Sequence, residues 1–408
     1  MSPRSGRPAG FTGPQRFLLA GSFLIPLGSF AVLPFMSVLL HERLGMGLGA
    51  VGVVLATASL VQFSGGVVGG ATAERLGLRR TMLLALVIRT VGFAAFLPGL
   101  RHAYVAVAAL FLVSCGAALY LPANKAYLVH GVEEARRPLL LSASGSALNA
   151  GIALGPLAAA PFVLNFSAGL FTAVAVLFAA ITAGHALLPA EGPSPAPAGP
   201  GREDGEDTGN ATRQSVLPFA VTVLSLYLFM FFQHYLALYA VPRTSATYYG
   251  LVLALYALLL VVAQPLLSGW IARLPYARAL RIGFAAMATG MATLALGNHA
   301  AILAGALLIC CAEVILFLKN DLEALARSPR SPAVVFGRQR LAAGIGAFVS
   351  GVAGGEGYQA AERADHAGLF WAAVAVQCVV LPPLLTAALR VRRVRNGSPT
   401  SGVSGETA

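Results

Sequence analysis

Twelve long apolar segments run through this chain, and they restrict what it can fold into. Each has the length of roughly 20 residues that a helix needs to cross the hydrocarbon core of a bilayer. The segments are 17–40, 49–72, 81–99, 103–126, 139–162, 166–189, 216–241, 246–272, 277–297, 300–322, 339–359 and 367–389. They are continuously apolar, without the alternation of a membrane barrel, so they predict transmembrane helices. The predicted fold class is all-α.

The composition supports an integral membrane protein. Hydrophobic residues make up 57% of the chain and charged residues 11%, whereas a soluble domain has about 25% charged residues. The first apolar segment is too long for a signal peptide and no small-residue cleavage site follows it. Four cysteines fall inside apolar segments, where we interpret them as small hydrophobic residues: Cys115, Cys310, Cys311 and Cys378. They predict neither a disulfide nor a metal site.

The basic residues predict how the chain is oriented in the membrane. With twelve spans, 21 arginines fall on the side of the two termini and four, Arg43, Arg101, Arg243 and Arg363, on the other. We call the first side the arginine-rich face; its residues between spans include Arg75, Arg79, Arg80, Arg136, Arg137, Arg273, Arg278, Arg281, Arg327 and Arg330. Positively charged loops are cytoplasmic, so we expect cytoplasmic termini. The net charge of +12 therefore indicates membrane topology and no nucleic-acid partner.

The chain divides into two halves of six spans. The predicted units are an N-terminal bundle at 1–189, a flexible linker at 190–215 that is rich in Pro, Gly and acids, a C-terminal bundle at 216–390 and a disordered tail at 391–408. The fourth and tenth spans show a weak repeat at an offset of 196 residues, which pairs Cys115 to Lys125 with Cys311 to Asp321. Such repeats are expected in transporter folds. With 2 lysines against 26 arginines, the composition is typical of a high-GC bacterial gene, so we expect a bacterial inner membrane.

The stretch GGVVGGATAERLGLRR joins the second and third spans. Its four glycines at 65, 66, 69 and 70 are spaced to let a neighbouring helix approach closely. Glu74 is a lone acid among arginines at the membrane face. These features need a specific explanation, because an ordinary surface ion pair contributes no more than about 1 kcal/mol.

This stretch resembles motif A of the major facilitator superfamily. The matching residues are Gly70, Ala73, Glu74, Arg75, Gly77 and Arg79, with Glu74 in place of the commoner Asp. The resemblance implies two six-helix bundles around a central cavity that opens alternately to each side. It also implies that these residues control the conformational change, with Glu74 facing the start of the eleventh helix in the outward-facing state. A carboxylate is favoured at a helix N-terminus, and we expect it near Arg338 to Ala342.

The fifth span contains a second resemblance. Gly151, Gly155 and Pro156 resemble motif C, the antiporter motif of the same superfamily, although its trailing glycines are Ala159 and Ala160 here. Two interpretations stay open: an antiporter function, or a packing pair with a proline kink. In either case we expect the glycines to contact the eighth span across the interface between the halves. The motif B arginine of related drug antiporters is missing, because Leu112 lies four residues before Gly116.

Few ionisable residues lie within the spans, and such residues are usually functional. Glu313 lies deep in the tenth span, where removal from water favours uptake of a proton, so we predict it as the proton-coupling residue, with His234 as the second candidate. A structural hydrogen bond to another helix is the alternative for Glu313. We expect Arg89 to reach the surface or to bond Gln62. Lys125, Lys319 and Asp321 are interpreted as interfacial anchors, although Lys125 could attract an anionic substrate.

The substrate is expected in a cavity lined by aromatic and amide side chains. The candidates are Tyr120, Asn124, Asn149, Gln233, His234, Tyr256 and Gln264. In the superfamily that the chain resembles, helices 1, 2, 4, 5, 7, 8, 10 and 11 line the cavity. Such a lining suits a partly hydrophobic small molecule and not a highly charged one.

The leading hypothesis is a monomeric secondary transporter that exports a small amphiphilic molecule in exchange for protons. Uptake by symport or facilitated diffusion of a metabolite is the alternative. A membrane enzyme or a sensor is disfavoured, because the chain has no Walker lysine loop, no HExxH pair and no GxSxG elbow. We therefore expect no enzymatic activity and no cofactor or metal.

Overall fold

The computed structural model describes residues 11–36, 39–159, 162, 167–189, 216–364 and 366–395. Within these ranges the chain is helical and has no β-strand. The all-α prediction is confirmed.

In the described part of the chain, twelve long helical segments match the twelve predicted spans. They are α1 (Gly13–Phe30), α2 (Leu48–Ser64 and Gly66–Leu76), α3 (Leu78–Gly99), α4 (Ala103–Val129), α5 (Arg137–Ala159), α6 (Ser167–Ala186), α7 (Val216–Ala240), α8 (Ala246–Arg273), α9 (Tyr276–Leu294), α10 (His299–Arg327), α11 (Pro332–Arg363) and α12 (Gly368–Arg395). Short 3₁₀ or π turns occupy Leu33–Phe35, Leu39–Arg43 and Glu134–Arg136.

Most of these helices are apolar enough to cross a membrane. Among the described residues, nine pass a test of length and hydropathy, or ten when the two parts of α2 count as one span. The remaining two are α9 and α11, which carry arginines in their N-terminal halves: Arg278 and Arg281, and Arg338 and Arg340. These charges lower the mean hydropathy of helices that otherwise have the length of a span.

Several predicted boundaries are wrong: the helix of the first span, for example, ends at Phe30 and not at 40. α11 begins at Pro332 and not at 339, because Ser331 caps its N-terminus by accepting from the backbone N–H of Val334 at 3.4 Å. Arg338 and Arg340 are therefore helical. α12 continues to Arg395, so residues 391–395 of the predicted tail are helical, while the linker 190–215 and residues 396–408 lie outside the described residues. The bounds of the two bundles stay a prediction.

The glycines of α2 pack as their spacing predicts. The helix bends by 40° between its two parts, at Gly65. A Cβ on Gly69 would lie 2.9 Å from Leu119 Cα of α4, and a Cβ on Gly70 would lie 2.7 Å from the carbonyl oxygen of Ala333 in α11. Only glycine permits such close approach of two helix backbones.

Candidate functional site

The two halves of the molecule touch near the arginine-rich face. There α2 lies against α11, with Gly66 and Gly70 facing Gly337 and Ala333. Nearer the opposite face, a Cβ on Gly250 of α8 or Gly351 of α11 would meet open space. The glycine contacts that join the two halves therefore lie toward the arginine-rich end.

Glu74 lies at the N-terminus of α11, as the resemblance to motif A implies. Ser331 Oγ donates a hydrogen bond of 2.6 Å to Glu74 Oε1. The contact is with the N-cap residue and not with Arg338 to Ala342, because the helix starts earlier than predicted. The carboxylate thus lies where the N-terminal dipole of α11 favours negative charge.

The other residues of the motif shape the loop between α2 and α3. Gly77 has a φ of 88°, a conformation that side chains with a Cβ rarely adopt. Arg79 Nη2 donates to the carbonyl oxygen of Ala186, at the end of α6. Arg75 is exposed. The motif therefore fixes the end of α2 both to its own bundle and to α11.

An ion pair joins the halves close to this contact. Lys125 Nζ of α4 lies 2.6 Å from Asp321 Oδ2 of α10, and it also lies 5.3 Å from the ring centroid of Phe336 in α11. The prediction of interfacial anchors did not include this pair, in which the two charges neutralise each other across the boundary between the halves; anchoring at the membrane surface stays a prediction. The offset of 196 residues already related these positions in the sequence.

Helices α5 and α8 contact each other across the boundary between the halves. Ser146 Oγ donates to Gln264 Oε1 at 3.3 Å, and a Cβ on Gly145 would lie 2.8 Å from the same oxygen. Asn149, one turn further along α5, is partly exposed and lies on the same helix face. Gln264 thus contacts α5 one turn from Asn149, and the role of both residues in lining a cavity stays a prediction.

Glu313 is buried in the C-terminal half. It is the middle residue of the 29-residue α10, and only 8% of its surface is exposed. Tyr256 of α8 donates a hydrogen bond to Glu313 Oε2, and the Tyr256 ring stacks on Phe232 of α7 at 5.3 Å. Two predicted residues, Glu313 and Tyr256, therefore form one buried polar site where α7, α8 and α10 meet.

His234 and Gln233 lie apart from this site. Both are exposed on α7, whereas the buried Phe232 faces Tyr256. His234 is two residues from Phe232, about 200° around an α-helix, so its side chain points away from Glu313. The structure does not bring the two predicted proton-coupling residues together.

Tyr120 and Asn124 belong to the interior of the N-terminal half. Tyr120 is 1% exposed, and its hydroxyl contacts Asn124 Oδ1 at 3.2 Å and His185 Nε2 of α6 at 3.0 Å. These two residues were predicted to line the cavity, but both are buried here, with Asn124 only 5% exposed. His185 was missed, since a single histidine near a span end gave no signal in the sequence.

The position of Arg89 differs from the one predicted. It neither reaches the surface nor bonds Gln62, because it is 4% exposed and donates to Ser29 Oγ of α1. Its guanidinium lies 4.8 Å from the ring centroid of Phe178 in α6. Lys319 is also buried, and its Nζ donates to the carbonyl oxygen of Ala272 at 3.0 Å, near the end of α8.

The glycines of α5 contact α1 and not α8. A Cβ on Gly151 would lie 2.9 Å from Leu27 N, and a Cβ on Gly155 would lie 2.7 Å from Leu27 O. The expected partner is therefore wrong: these glycines pack within the N-terminal half, and α8 meets α5 two turns earlier at Gly145. Pro156 lies within α5 beside them.

Comparisons with known proteins agree with this arrangement. A sequence profile described as the Major Facilitator Superfamily matches residues 18–350. The chain belongs to the major facilitator superfamily. It is a multi-pass membrane transporter and not an enzyme, and members of this superfamily bind small-molecule substrates. Among the described residues, no group of three or more His, Cys, Asp or Glu is arranged to bind a metal.

Relatives of this superfamily member include named transporters. The multidrug resistance protein MdtH of Cronobacter sakazakii is 30% identical over 168 residues, 41% of each chain. The uncharacterized MFS-type transporter YhjO of Bacillus subtilis is 29% identical over 150 residues, 36% of each chain. The matches therefore span about two fifths of these relatives.

Solved structures share the fold over nearly the whole chain. The human organic anion transporter MFSD10 has a TM-score of 0.74 at 17% identity, over 90% of this chain and 99% of that one. FucP in its outward conformation has a TM-score of 0.70 at 15% identity, over 89% and 96%. At such identities the likeness extends to the twelve-helix fold alone.

Proposed function

We propose that this transporter exports a small amphiphilic molecule in exchange for protons by alternating access. In this proposal the arginine-rich face is cytoplasmic, the membrane is a bacterial inner membrane and the protein acts as a monomer. The observation that carries the proposal is the buried carboxyl group of Glu313, hydrogen-bonded by Tyr256.

The depth of Glu313 suits a proton-coupling role. It lies 14 residues from either end of α10, about 21 Å along the helix at 1.5 Å per residue. No Lys, Arg or His of the described chain forms an ion pair with it. An ionised carboxylate there would be buried without a compensating charge, so a closed site favours the protonated group. Water or a substrate that reaches the site changes that balance, which links proton release to binding.

The direction of transport rests on relatives and on topology. The MdtH relatives are named multidrug resistance proteins, which supports export of amphiphilic compounds. The closed arginine-rich end supports an outward-facing state if that face is cytoplasmic, as the arginine distribution favours. Uptake by symport or facilitated diffusion is the competing function.

Transport by purified protein in liposomes tests the proposal. Pyranine trapped in the vesicles reports proton movement while neutral, cationic and anionic fluorescent amphiphiles are offered under an imposed pH gradient. We expect accumulation of at least one compound against its gradient as protons move the other way. For Glu313→Gln we expect binding and downhill exchange to survive and gradient-driven accumulation to fail, since glutamine keeps the shape but cannot release a proton.

Glu323→Gln is the matched control. Glu323 lies in the same helix but pairs with Arg327 at the arginine-rich end, at 2.6 Å, so its loss should leave coupling intact. Full gradient-driven transport by Glu313→Gln would contradict the assignment and make His234 the next residue to test. Movement of compound and protons in the same direction would establish symport instead.

A further inference from the structure

Arg340 lies at the boundary between the halves, just beyond the ion pair of Lys125 and Asp321. In α11 it is one turn past Phe336, the residue whose ring contacts Lys125. Its position is therefore about 6 Å further from the arginine-rich face. A Cβ on Gly66 would lie 2.8 Å from Arg340 Cβ, and the guanidinium carbon lies 4.5 Å from the ring centroid of Phe63. The side chain of Arg340 thus extends from α11 and packs against α2.

The guanidinium of Arg340 has no anionic or hydrogen-bonding partner among the described residues. Its Nε is buried without an acceptor, and the side chain as a whole is only partly exposed. Other arginines of the helices do have acceptors: Arg89 has Ser29, Arg243 has the Tyr239 carbonyl and Arg327 has Glu323. Because burying an unpaired charge is costly, the guanidinium has unused capacity to bind an anion.

The surroundings of Arg340 define what kind of anion fits. A guanidinium donates two parallel hydrogen bonds to a carboxylate or a sulfonate. Around it lie the Phe63 ring and the backbone of α2 at Gly66, and the cation beneath it, Lys125, is already paired with Asp321. A ligand with a single anionic group on an aromatic or aliphatic body matches this site, whereas a multiply charged one does not.

We propose that Arg340 binds the anionic group of the transported molecule, and that the substrates are lipophilic monoanions such as aromatic carboxylates or sulfonates. This inference rests on the proposed export of small amphiphiles and names their charge class. In this proposal the ligand approaches Arg340 from the side opposite the arginine-rich face, because α2 packs on α11 at Gly70 and Ala333 on the near side. The ion pair of Lys125 and Asp321 lies beneath it.

The test compares 2-naphthoate with its neutral isostere 2-naphthamide. Isothermal titration calorimetry on the purified full-length protein gives the affinity of each compound at equilibrium and without a proton gradient. We expect the wild-type protein to bind 2-naphthoate more tightly than 2-naphthamide. Arg340→Gln should weaken 2-naphthoate binding about tenfold or more, because a charge-assisted hydrogen bond is lost, and should leave 2-naphthamide binding unchanged.

Two further variants keep the test decisive. Arg340→Lys retains the charge but not the paired donors, so its affinity for 2-naphthoate should lie between those of the wild type and Arg340→Gln. Arg338→Gln is the control, since Arg338 lies two residues earlier and faces Phe219 of α7 at 6.0 Å; it should bind both compounds like the wild type. Equal wild-type affinity for the two compounds, or equal losses for both in Arg340→Gln and Arg340→Lys, would overturn the inference. Because no gradient is applied, that failure is independent of proton coupling by Glu313.

Discussion

Arg89 shows how a single buried charge depends on one hydroxyl group. Ser29 Oγ accepts from its guanidinium and itself donates to the carbonyl oxygen of Ile25 at 2.6 Å. The rings of Phe178 and Phe93 lie beside the charge at 4.8 and 6.0 Å. Cation–π contacts and one hydrogen bond thus compensate a group that would otherwise be costly to bury.

We expect Ser29→Ala to destabilise the protein through Arg89. The substitution leaves the guanidinium without its acceptor in α1, a loss of about 1.5–3 kcal/mol for a hydrogen bond to a charged group. Thermal unfolding in detergent should therefore show a lower apparent melting temperature.

In an Arg89→Met background the same substitution should have little effect, because no charge then needs the hydroxyl. A double-mutant cycle measures this coupling. Additive losses in the two backgrounds would mean that Ser29 acts through its bond to Ile25 and not through Arg89.

At this scale the sequence predicted some contacts and missed others. The depth of Glu313 followed from its position in a span, because depth needs only a residue count. The partner of Arg89 was not predicted, because no acid lies in the N-terminal spans and Gln62 was the expected amide acceptor, whereas the acceptor is the hydroxyl group of Ser29. The repeat related Lys125 to Asp321 in the sequence, but equivalent positions of two repeats meet only beside the axis that relates them, so the ion pair became visible only in three dimensions.

Among the helices of the N-terminal half, α5 and α1 bring their backbones into close contact at Gly151 and Gly155. Gly155 faces the backbone of α1 at Leu27 and Phe30. Glycines at this spacing predict that another helix packs closely, but they do not identify that helix. A glycine has no side chain whose charge, polarity or shape would indicate its partner. The choice of α1 over α8 depends on the three-dimensional arrangement of the bundle.

Gly155→Leu should abolish transport while leaving the protein inserted in the membrane. A Cβ at this position would lie 2.7 Å from the Leu27 carbonyl oxygen, so α1 and α5 must separate. Transport in liposomes and the melting temperature should both fall. Gly169→Leu in α6 is the control, because a Cβ there meets nothing within 4 Å; normal transport by Gly155→Leu would contradict the packing argument.

The start of α11 has a recognisable capping sequence, although the predicted span began seven residues later. Ser331 followed by Pro332 has the pattern of an N-cap residue with proline at the first helical position. The predicted span began at 339, so the helical residues 332–338 were left outside it. A helix that turns charged side chains toward aromatic rings can begin well before its apolar segment does.

For the molecule as a whole, contacts at the arginine-rich end hold the two halves together. They include Glu74 with Ser331, Lys125 with Asp321 and Ser146 with Gln264. The Lys125 and Asp321 side chains are 39% and 20% exposed, so water partly screens their attraction. A pair of this kind contributes about 1 kcal/mol, enough to bias an equilibrium between two arrangements of the halves about fivefold.

Asp321→Asn should therefore shift the protein toward the arrangement that is open at the arginine-rich face. Spin labels at Arg80→Cys and Arg278→Cys, both exposed positions on opposite halves, would report the change by electron–electron double resonance in a background without native cysteines. We expect a larger population of long distances, with Lys125→Gln giving the same shift.

The exchange Lys125→Asp with Asp321→Lys should restore the original distribution, because it rebuilds the pair in the opposite sense. An unchanged distance distribution in both single variants would show that the pair does not stabilise the closed end. Persistence of the shift in the exchange variant would instead assign the effect to local packing, for example of Lys125 on the Phe336 ring.

Lys125 and Asp321 also carry a consequence for symmetry. They occupy equivalent positions of the two repeats and meet each other at 2.6 Å, so they lie beside the pseudo-twofold axis. Two identical halves would bring two lysines or two aspartates together at that point, and like charges would repel. The attraction there exists because the halves differ. A single chain whose two repeats differ in sequence can therefore place opposite charges beside the pseudo-twofold axis. A symmetric dimer of either half would place identical charges there and could not form this ion pair.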